Sequence, residues 1–220
     1  MNRETGPSRP SYRLIIAIMA ALSVIAVIAI FTWRSMTPTP DVAFGTVTSV
    51  KIPAKIAVGG PFRLTGHHGK PVADTDFRGQ FMLISFGYTF CPDVCPTTLQ
   101  TISAAMDSLG ADSAALQPIF ITVDPERDTV DSLSTYVDSF HPKLIGLTGA
   151  KAETDKIASL FKVYHRKVNA EEGDDYTIDH SAFIYLMGPD GKFLTMFRHN
   201  ASPDALAQDI RLFLNESKSG

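Results

Sequence analysis

The chain has 220 residues, a formal net charge of −3 and an ordinary share of apolar and charged side chains. That length suits one well-packed domain with appendages rather than two domains. The missing basic excess argues against nucleic-acid binding, and no solenoid-type repeat is present.

The first element in chain order is the run at residues 14–33, which carries no charged side chain and only Ser23 and Thr32 as polar members. At about 1.5 Å of helical rise per residue, some 20 residues cross a hydrocarbon core of roughly 30 Å. Arg3, Arg9 and Arg13 precede the run and Arg34 alone follows closely, so the positive-inside rule keeps the short N-terminus in the cytoplasm and exports the rest. A cleaved signal peptide is the rival reading. Its apolar core is typically about 7–15 residues, whereas this run is longer and ends in bulky Ile30, Phe31 and Trp33. The expectation is an uncleaved single-pass anchor in a bacterial inner membrane with a periplasmic domain. Segments 1–13, 14–33, 34–50 and 51–220 are then cytoplasmic N-terminus, transmembrane anchor, linker and folded domain. Pro38 and Pro40 stiffen the linker.

Residues 62–64 and 66–70 predict a hairpin around Gly66-His67-His68-Gly69. Residues 81–86 are a nearly continuous apolar run, the mark of a strand buried on both faces. From Thr97 to Leu109, apolar side chains at Leu99, Ile102, Met106 and Leu109 have helical spacing, and Gly110 closes the helix. Residues 118–123 predict a second buried strand, 128–140 a helix, 144–147 a short strand and 152–164 another helix. Residues 182–187 and 192–197 flank a Gly188-Pro189-Asp190-Gly191 turn as a hairpin, and Ser202-Pro203 opens a final helix. Strands alternating with helices, then a hairpin and a helix, predict a central sheet with helices on its faces. This is an α/β, thioredoxin-like three-layer fold with an added N-terminal β-hairpin, preceded by one transmembrane helix.

Cys91 and Cys95 are the only cysteines, in Phe90-Cys91-Pro92-Asp93-Val94-Cys95-Pro96, between a buried strand and a helix. Pro96 has no N–H and is expected at the first helical position, which puts Cys95 at the N-cap. Both sulfurs then lie near unpaired N–H groups and the positive end of a helix dipole, an environment that favours thiolate. Three readings stay open on the cysteines alone. A structural disulfide would close a very short loop and remove little unfolded-chain entropy. A redox dithiol usually has two intervening residues rather than three. A metal site is compatible with the spacing but needs another ligand.

Among the six histidines, His67 and His68 are expected as solvated turn residues, His141 as a helix C-terminal cap and His165 as an exposed side chain. His199 has no suggested partner. His180 differs because it lies just before the strand at 182–187. In thioredoxin-like folds that segment faces the cysteine turn and normally carries a cis-proline. No proline stands there, and His180 occupies its place. An imidazole makes sense at that position if a third ligand is required.

The ordered set of motifs resembles the Sco (SenC) family of copper proteins. Its pieces are Gly87-Tyr88-Thr89 ahead of the cysteine segment, Val123-Asp124-Pro125-Glu126-Arg127-Asp128-Thr129, residues 144–149, and Asp179-His180-Ser181 before Tyr185-Leu186. The resemblance runs from about residue 58 to residue 214. It implies one copper ion per domain, Cu(I) or Cu(II), bound by Cys91, Cys95 and His180. Soft thiolates suit Cu(I), and imidazole accepts either oxidation state. It also implies a chaperone that loads the copper-A site during cytochrome c oxidase assembly. The alternative is an enzyme, a thiol-disulfide oxidoreductase that reduces the cysteines of the oxidase copper site. Expected partners are the copper-A subunit, other copper chaperones or thiol reductases, and the membrane through one helix. Asp124 is either a turn residue or an acid that supports the site or docks a partner. Asp128 is read as an N-cap, Asp179 as an acid that orients His180, and Tyr88 as packing. The pair His67-His68 and the acidic segment 171–175 are not features the family pattern asks for.

Overall fold

The computed structural model describes residues 12–36, 57–168 and 176–219. The chain forms two compact units, Met1–Ala43 and Phe44–Gly220. Most of the linker and the acidic segment 171–175 lie outside the described residues.

In the first unit, α1 spans Tyr12–Met36, 25 residues. The helix expected from the apolar run is therefore present. Among the described residues, however, no helix is long and apolar enough to cross a membrane.

The second unit is built on a seven-stranded sheet. Its strands are β1 (Arg63–Gly66), β2 (Pro71–Ala73), β3 (Phe81–Gly87), β4 (Leu116–Thr122), β5 (Ile145–Thr148), β8 (Phe183–Met187) and β9 (Phe193–Arg198), in the spatial order β2-β1-β5-β4-β3-β8-β9. β3 runs parallel to β4 and antiparallel to β8, and β8 runs antiparallel to β9. That is the βαβ plus ββα arrangement of a thioredoxin-like sheet. The predicted hairpin β1–β2 extends it, with β1 joined antiparallel to β5.

All seven residues of β3 are buried, and they alternate between two cores. Phe81 and Leu83 enter one cluster with Leu99, Ile102 and Met106 of α2 (Val94–Leu109), Leu133 and Val137 of α3 (Val130–Val137), and Leu206 and Ile210 of α5 (Pro203–Ser219). Met82, Ile84 and Phe86 enter the other, with Ile157 and Ala158 of α4 (Lys151–Leu160) and with Phe161. A strand that packs on both faces reads as a continuous apolar run, as β3 and β4 do.

A short two-stranded ribbon completes the unit. β6 (His165–Val168) pairs antiparallel with β7 (Thr177–His180), and His165 faces His180 in the register. The segment expected to be a loop before β8 is thus paired strand up to His180. Ile178 and Tyr176 are buried in the core that contains Phe86.

His67 departs from expectation. It is buried at 7% exposure, its Nδ1 accepts the Gly146 N–H at 3.1 Å, and its own N–H donates to the Gly146 carbonyl at 2.8 Å. This turn histidine therefore fastens the hairpin to β5. His165 is half-buried with its Nε2 3.0 Å from Asp155 Oδ1, and His141 Nδ1 accepts the Lys143 N–H at 3.1 Å.

Candidate metal centre

The cysteine turn leaves the C-terminal end of β3, where β3 lies beside β4. Helix α2 begins at Val94 with Asp93 at the N-cap, two residues earlier than expected. Cys95 is therefore inside the first turn rather than at the cap, and Pro96 is the third helical residue. The first helical N–H groups have no acceptor within the helix, so a proline there forfeits nothing. Asp93 makes no side-chain capping bond. Cys91 Sγ takes that part, accepting the Cys95 N–H at 3.4 Å.

Cys95 is buried at 3% exposure, whereas Cys91 is half-buried, and neither is in a disulfide. Cys95 Sγ sits so close to the sheet that a Cβ on Gly87 would lie 2.7 Å from it and 2.8 Å from Phe120 Cε2. Glycine at position 87 is what lets the sulfur approach the end of β3.

The imidazole comes from the end of β7. His180 Nε2 is 3.3 Å from Cys95 Sγ, and Nδ1 is 3.0 Å from the carbonyl of Ser181. Only a protonated Nδ1 can donate to that carbonyl. In the neutral ring this leaves the Nε2 lone pair facing the sulfurs, the tautomer a metal ligand needs. The Ser181 carbonyl does the orienting expected of Asp179. The Asp179 side chain is 63% exposed and lies 3.7 Å from Arg166, so it turns away from the site.

Donor atoms of Cys91, Cys95 and His180 all lie within 4.8 Å of one another. A planar three-coordinate ion with a metal–sulfur distance of about 2.3 Å and a metal–nitrogen distance of about 2.0–2.1 Å spaces its donors roughly 3.8–4.0 Å apart. Two thiols and an imidazole at this spacing fit a soft or borderline ion with only a small adjustment.

The two thiols are electrostatically unlike. A hydrogen bond from Cys95 is the main influence on Cys91, with help from His180 and backbone N–H groups, and burial opposes them; the Cys91 thiol is lowered to about 3. Cys95 is pushed the other way, first by that same hydrogen bond, then by burial and the nearby Cys91 charge. One sulfur is thus a ready thiolate near the surface, and the other holds the pair's proton beneath it.

Tyr88, expected as packing, Asp124, expected as a turn residue or as an acid that supports the site or docks a partner, and Asp128, expected as an N-cap, all lie near the centre. Tyr88 is 2% exposed, its hydroxyl accepts the Ile178 N–H at 3.2 Å, and its ring meets the His180 ring edge-on at 5.9 Å. Asp124, 1% exposed, accepts from Arg127 Nε at 2.5 Å and from the Tyr176 hydroxyl at 2.7 Å, so it supports the site from within and presents no carboxylate to a partner. Asp128 does not cap α3; Thr129 does, accepting the Ser132 N–H at 3.2 Å. Asp128 is fully buried instead, and accepts from Thr89 Oγ1 and Thr122 Oγ1, each at 2.6 Å. Burial raises its carboxyl above the usual range, against those hydrogen bonds. The family motif marks Tyr88, Asp124 and Asp128, but their contacts with Ile178, Tyr176 and Thr89 span 90, 52 and 39 residues and leave no local signal.

Comparison with known proteins agrees with this geometry. The mouse mitochondrial SCO1 homolog is 44% identical over 158 residues, 71% of this chain and 56% of that protein. The human mitochondrial SCO1 homolog is 43% identical, over 71% of this chain and 52% of its own. The chain thus spans little more than half the length of these relatives. Among solved structures, copper-bound ScoI of Bradyrhizobium japonicum is 47% identical, with a TM-score of 0.66 over 70% of this chain and 98% of that one. Copper-bound ScoI of Arabidopsis thaliana is 40% identical, with a TM-score of 0.69 over 73% and 99%. The SCO1/SenC family model matches residues 50–215. With three-quarters of its length, every strand of the sheet and the cysteine–histidine cluster inside that match, the chain belongs to the SCO1/SenC family.

Proposed function

We propose that this chain is a membrane-anchored copper chaperone that holds one copper ion between Cys91, Cys95 and His180 and delivers it to the copper-A site during cytochrome c oxidase assembly. The observation that carries the reading is the convergence of two sulfurs and a correctly oriented Nε2 within 4.8 Å. Three donors leave an ion accessible for exchange, unlike the four closed ligands of a structural zinc site. Half-buried Cys91 is the side from which an incoming thiolate or imidazole takes the ion while Cys95 and His180 release it in turn. The metal keeps its oxidation state throughout. Relatives whose structures hold copper, and a relative at 27% identity described as belonging to a family of cytochrome c oxidase assembly proteins, favour this cargo and destination.

The anchor in this reading is α1, placed in a bacterial inner membrane with the folded unit in the periplasm. It is supported by the uncharged run at 14–33 and by the arginines on its N-terminal side. Resistance of the full-length chain to alkaline carbonate extraction tests it, and release into the soluble fraction would overturn it.

A second reading has its own observation. A low-pKa, half-buried Cys91 in front of a protonated Cys95 is the arrangement of an attacking and a resolving thiol. As a thiol-disulfide oxidoreductase, Cys91 would attack the disulfide of the oxidase copper site. Cys95 would then displace the mixed disulfide, leaving the acceptor reduced, this chain oxidised, and a thiol reductase needed to restore it.

Titration of the reduced full-length chain with Cu(I), wild type against Cys91→Ser, Cys95→Ser and His180→Ala, separates the two. The chaperone reading predicts that all three substitutions abolish tight binding, while His180→Ala leaves dithiol exchange largely intact. Copper binding that is indifferent to the imidazole would remove the basis for the chaperone.

A further inference from the structure

The donors of the candidate centre come from pieces of chain 85 residues apart, so their spacing depends on whatever both pieces touch. Both touch residues 124–128, the turn that follows β4. On the cysteine side, the Asp128 carboxylate accepts the Thr89 N–H at 3.0 Å and the Thr89 hydroxyl at 2.6 Å, two residues before Cys91. It is itself held, because it also accepts from Thr122 Oγ1 at 2.6 Å, its N–H donates to the Asp124 carbonyl at 2.9 Å, and its carbonyl accepts from Thr148 Oγ1 at 2.8 Å.

On the histidine side, Arg127 Nη1 donates to the Tyr176 carbonyl at 2.9 Å, at the residue before β7. The guanidinium lies 3.6 Å from the centre of the Tyr176 ring and 4.8 Å from that of Phe90, the neighbour of Cys91. Asp124 fixes both members by accepting from Arg127 Nε and from the Tyr176 hydroxyl.

A buried carboxylate held by hydroxyl and amide groups is costly to keep. Thr129 already caps α3, so a turn has no local need for it. We infer that the turn after β4 gauges the sulfur–imidazole distance, with Asp128 positioning the Cys91 turn and Arg127 positioning the His180 ribbon through separate contacts. The consequence for copper rests on the function proposed above; the positioning itself is a property of the metal-free chain.

Four variants of the full-length chain test this: Asp128→Asn, Thr89→Val, Thr89→Ser and Arg127→Lys. Three quantities are read: the rate of Cys91 alkylation by iodoacetamide against pH, the ring ¹⁵N resonances of His180, and Cu(I) affinity by competition with a chromophoric chelator. Asp128→Asn and Thr89→Val are expected to shift the Cys91 alkylation profile and leave the His180 resonances near wild type. Thr89→Ser, which keeps the hydroxyl, restores the profile. Arg127→Lys keeps the charge but loses the fork, so it moves the His180 resonances. It changes the alkylation profile less than Asp128→Asn does, since the guanidinium meets the cysteine side through the Phe90 ring. Each damaging variant weakens Cu(I) binding by roughly 10–100-fold, the range for groups that orient metal ligands. Thr89 is half-buried and its substitution is milder, so it keeps the test open if Asp128→Asn fails to fold. Lower thermal stability with both readouts unchanged, or both readouts moving together in every variant, would overturn the inference. If the metal-free readouts divide as expected but the wild type takes up no Cu(I), the positioning stands and the proposed function falls.

Discussion

Substitution of Gly87 by alanine tests the packing that brings Cys95 to its place. The added Cβ would lie 2.7 Å from Cys95 Sγ and 2.8 Å from Phe120 Cε2, where ordinary non-bonded contacts are about 3.5–4.0 Å. Something must give by roughly 1 Å. The backbone of β3 is poorly placed to yield, since Gly87 pairs with Thr122 of β4 and the strand is buried along its length. The Phe120 ring is fully packed in the opposite core, so overpacking should cost about 1–3 kcal/mol. For a domain of this size that lowers the melting temperature by roughly 2–12 °C. Displacement of the sulfur removes it from the position the other two donors require, and Cu(I) affinity should fall by about 10–100-fold. Thermal unfolding followed by circular dichroism gives the first quantity, and chelator competition gives the second. The double variant Gly87→Ala/Phe120→Leu should be more stable than the sum of its single changes, because it relieves the ring contact. Its copper affinity should stay low, because the sulfur contact remains. Unchanged copper affinity in Gly87→Ala would refute the claim that this close approach sets the sulfur.

The remaining predictions concern protons. Alkylation of Cys91 in the metal-free chain should be nearly independent of pH between about 5 and 8, because its thiol is lowered to about 3; a rate that climbs tenfold per unit towards an ordinary thiol value would contradict the thiolate. At pH 7.5, Cu(I) binding should release about one proton, from Cys95, read by calorimetry in buffers of different ionisation enthalpy. Release of two would mean that both cysteines start protonated. His67 is lowered below its ordinary 6.5 chiefly by burial, with His68 adding repulsion. The folded chain then holds this ring neutral where the unfolded chain would charge it, so its contribution is complete above about pH 6.5 and declines as the pH falls further. His67→Gln should flatten the loss of melting temperature between pH 7 and pH 5, and an unaltered slope would exclude His67 as its source.

Much of this fold was legible because burial on both faces leaves a plain mark. β3 and β4 stand out as apolar runs, and the spacing of Leu99, Ile102 and Met106 marks the helix behind the cysteines. The start of that helix was misplaced because proline is tolerated at more than one position of a first turn, and the local sequence does not choose between them. The ribbon β6–β7 was missed for a different reason. Its strands are short, and β6 is mostly basic, so no alternating pattern announces them; they exist through pairing between His165 and His180 and through burial of Ile178. The three donor residues were readable as a set from the family motifs. The group that orients the imidazole was not, since it is the backbone carbonyl of Ser181 rather than the neighbouring acid. Asp128 shows the same limit, because a capping role is local and the contacts it makes instead reach back to Thr89.

X-ray absorption at the copper edge of the reduced, Cu(I)-loaded full-length chain bears most directly on the proposed centre. The account predicts two sulfur scatterers at about 2.3 Å and one imidazole nitrogen at about 2.0 Å, with the imidazole contribution lost in His180→Ala. A linear site of two sulfurs, or an imidazole signal that survives that substitution, would contradict it.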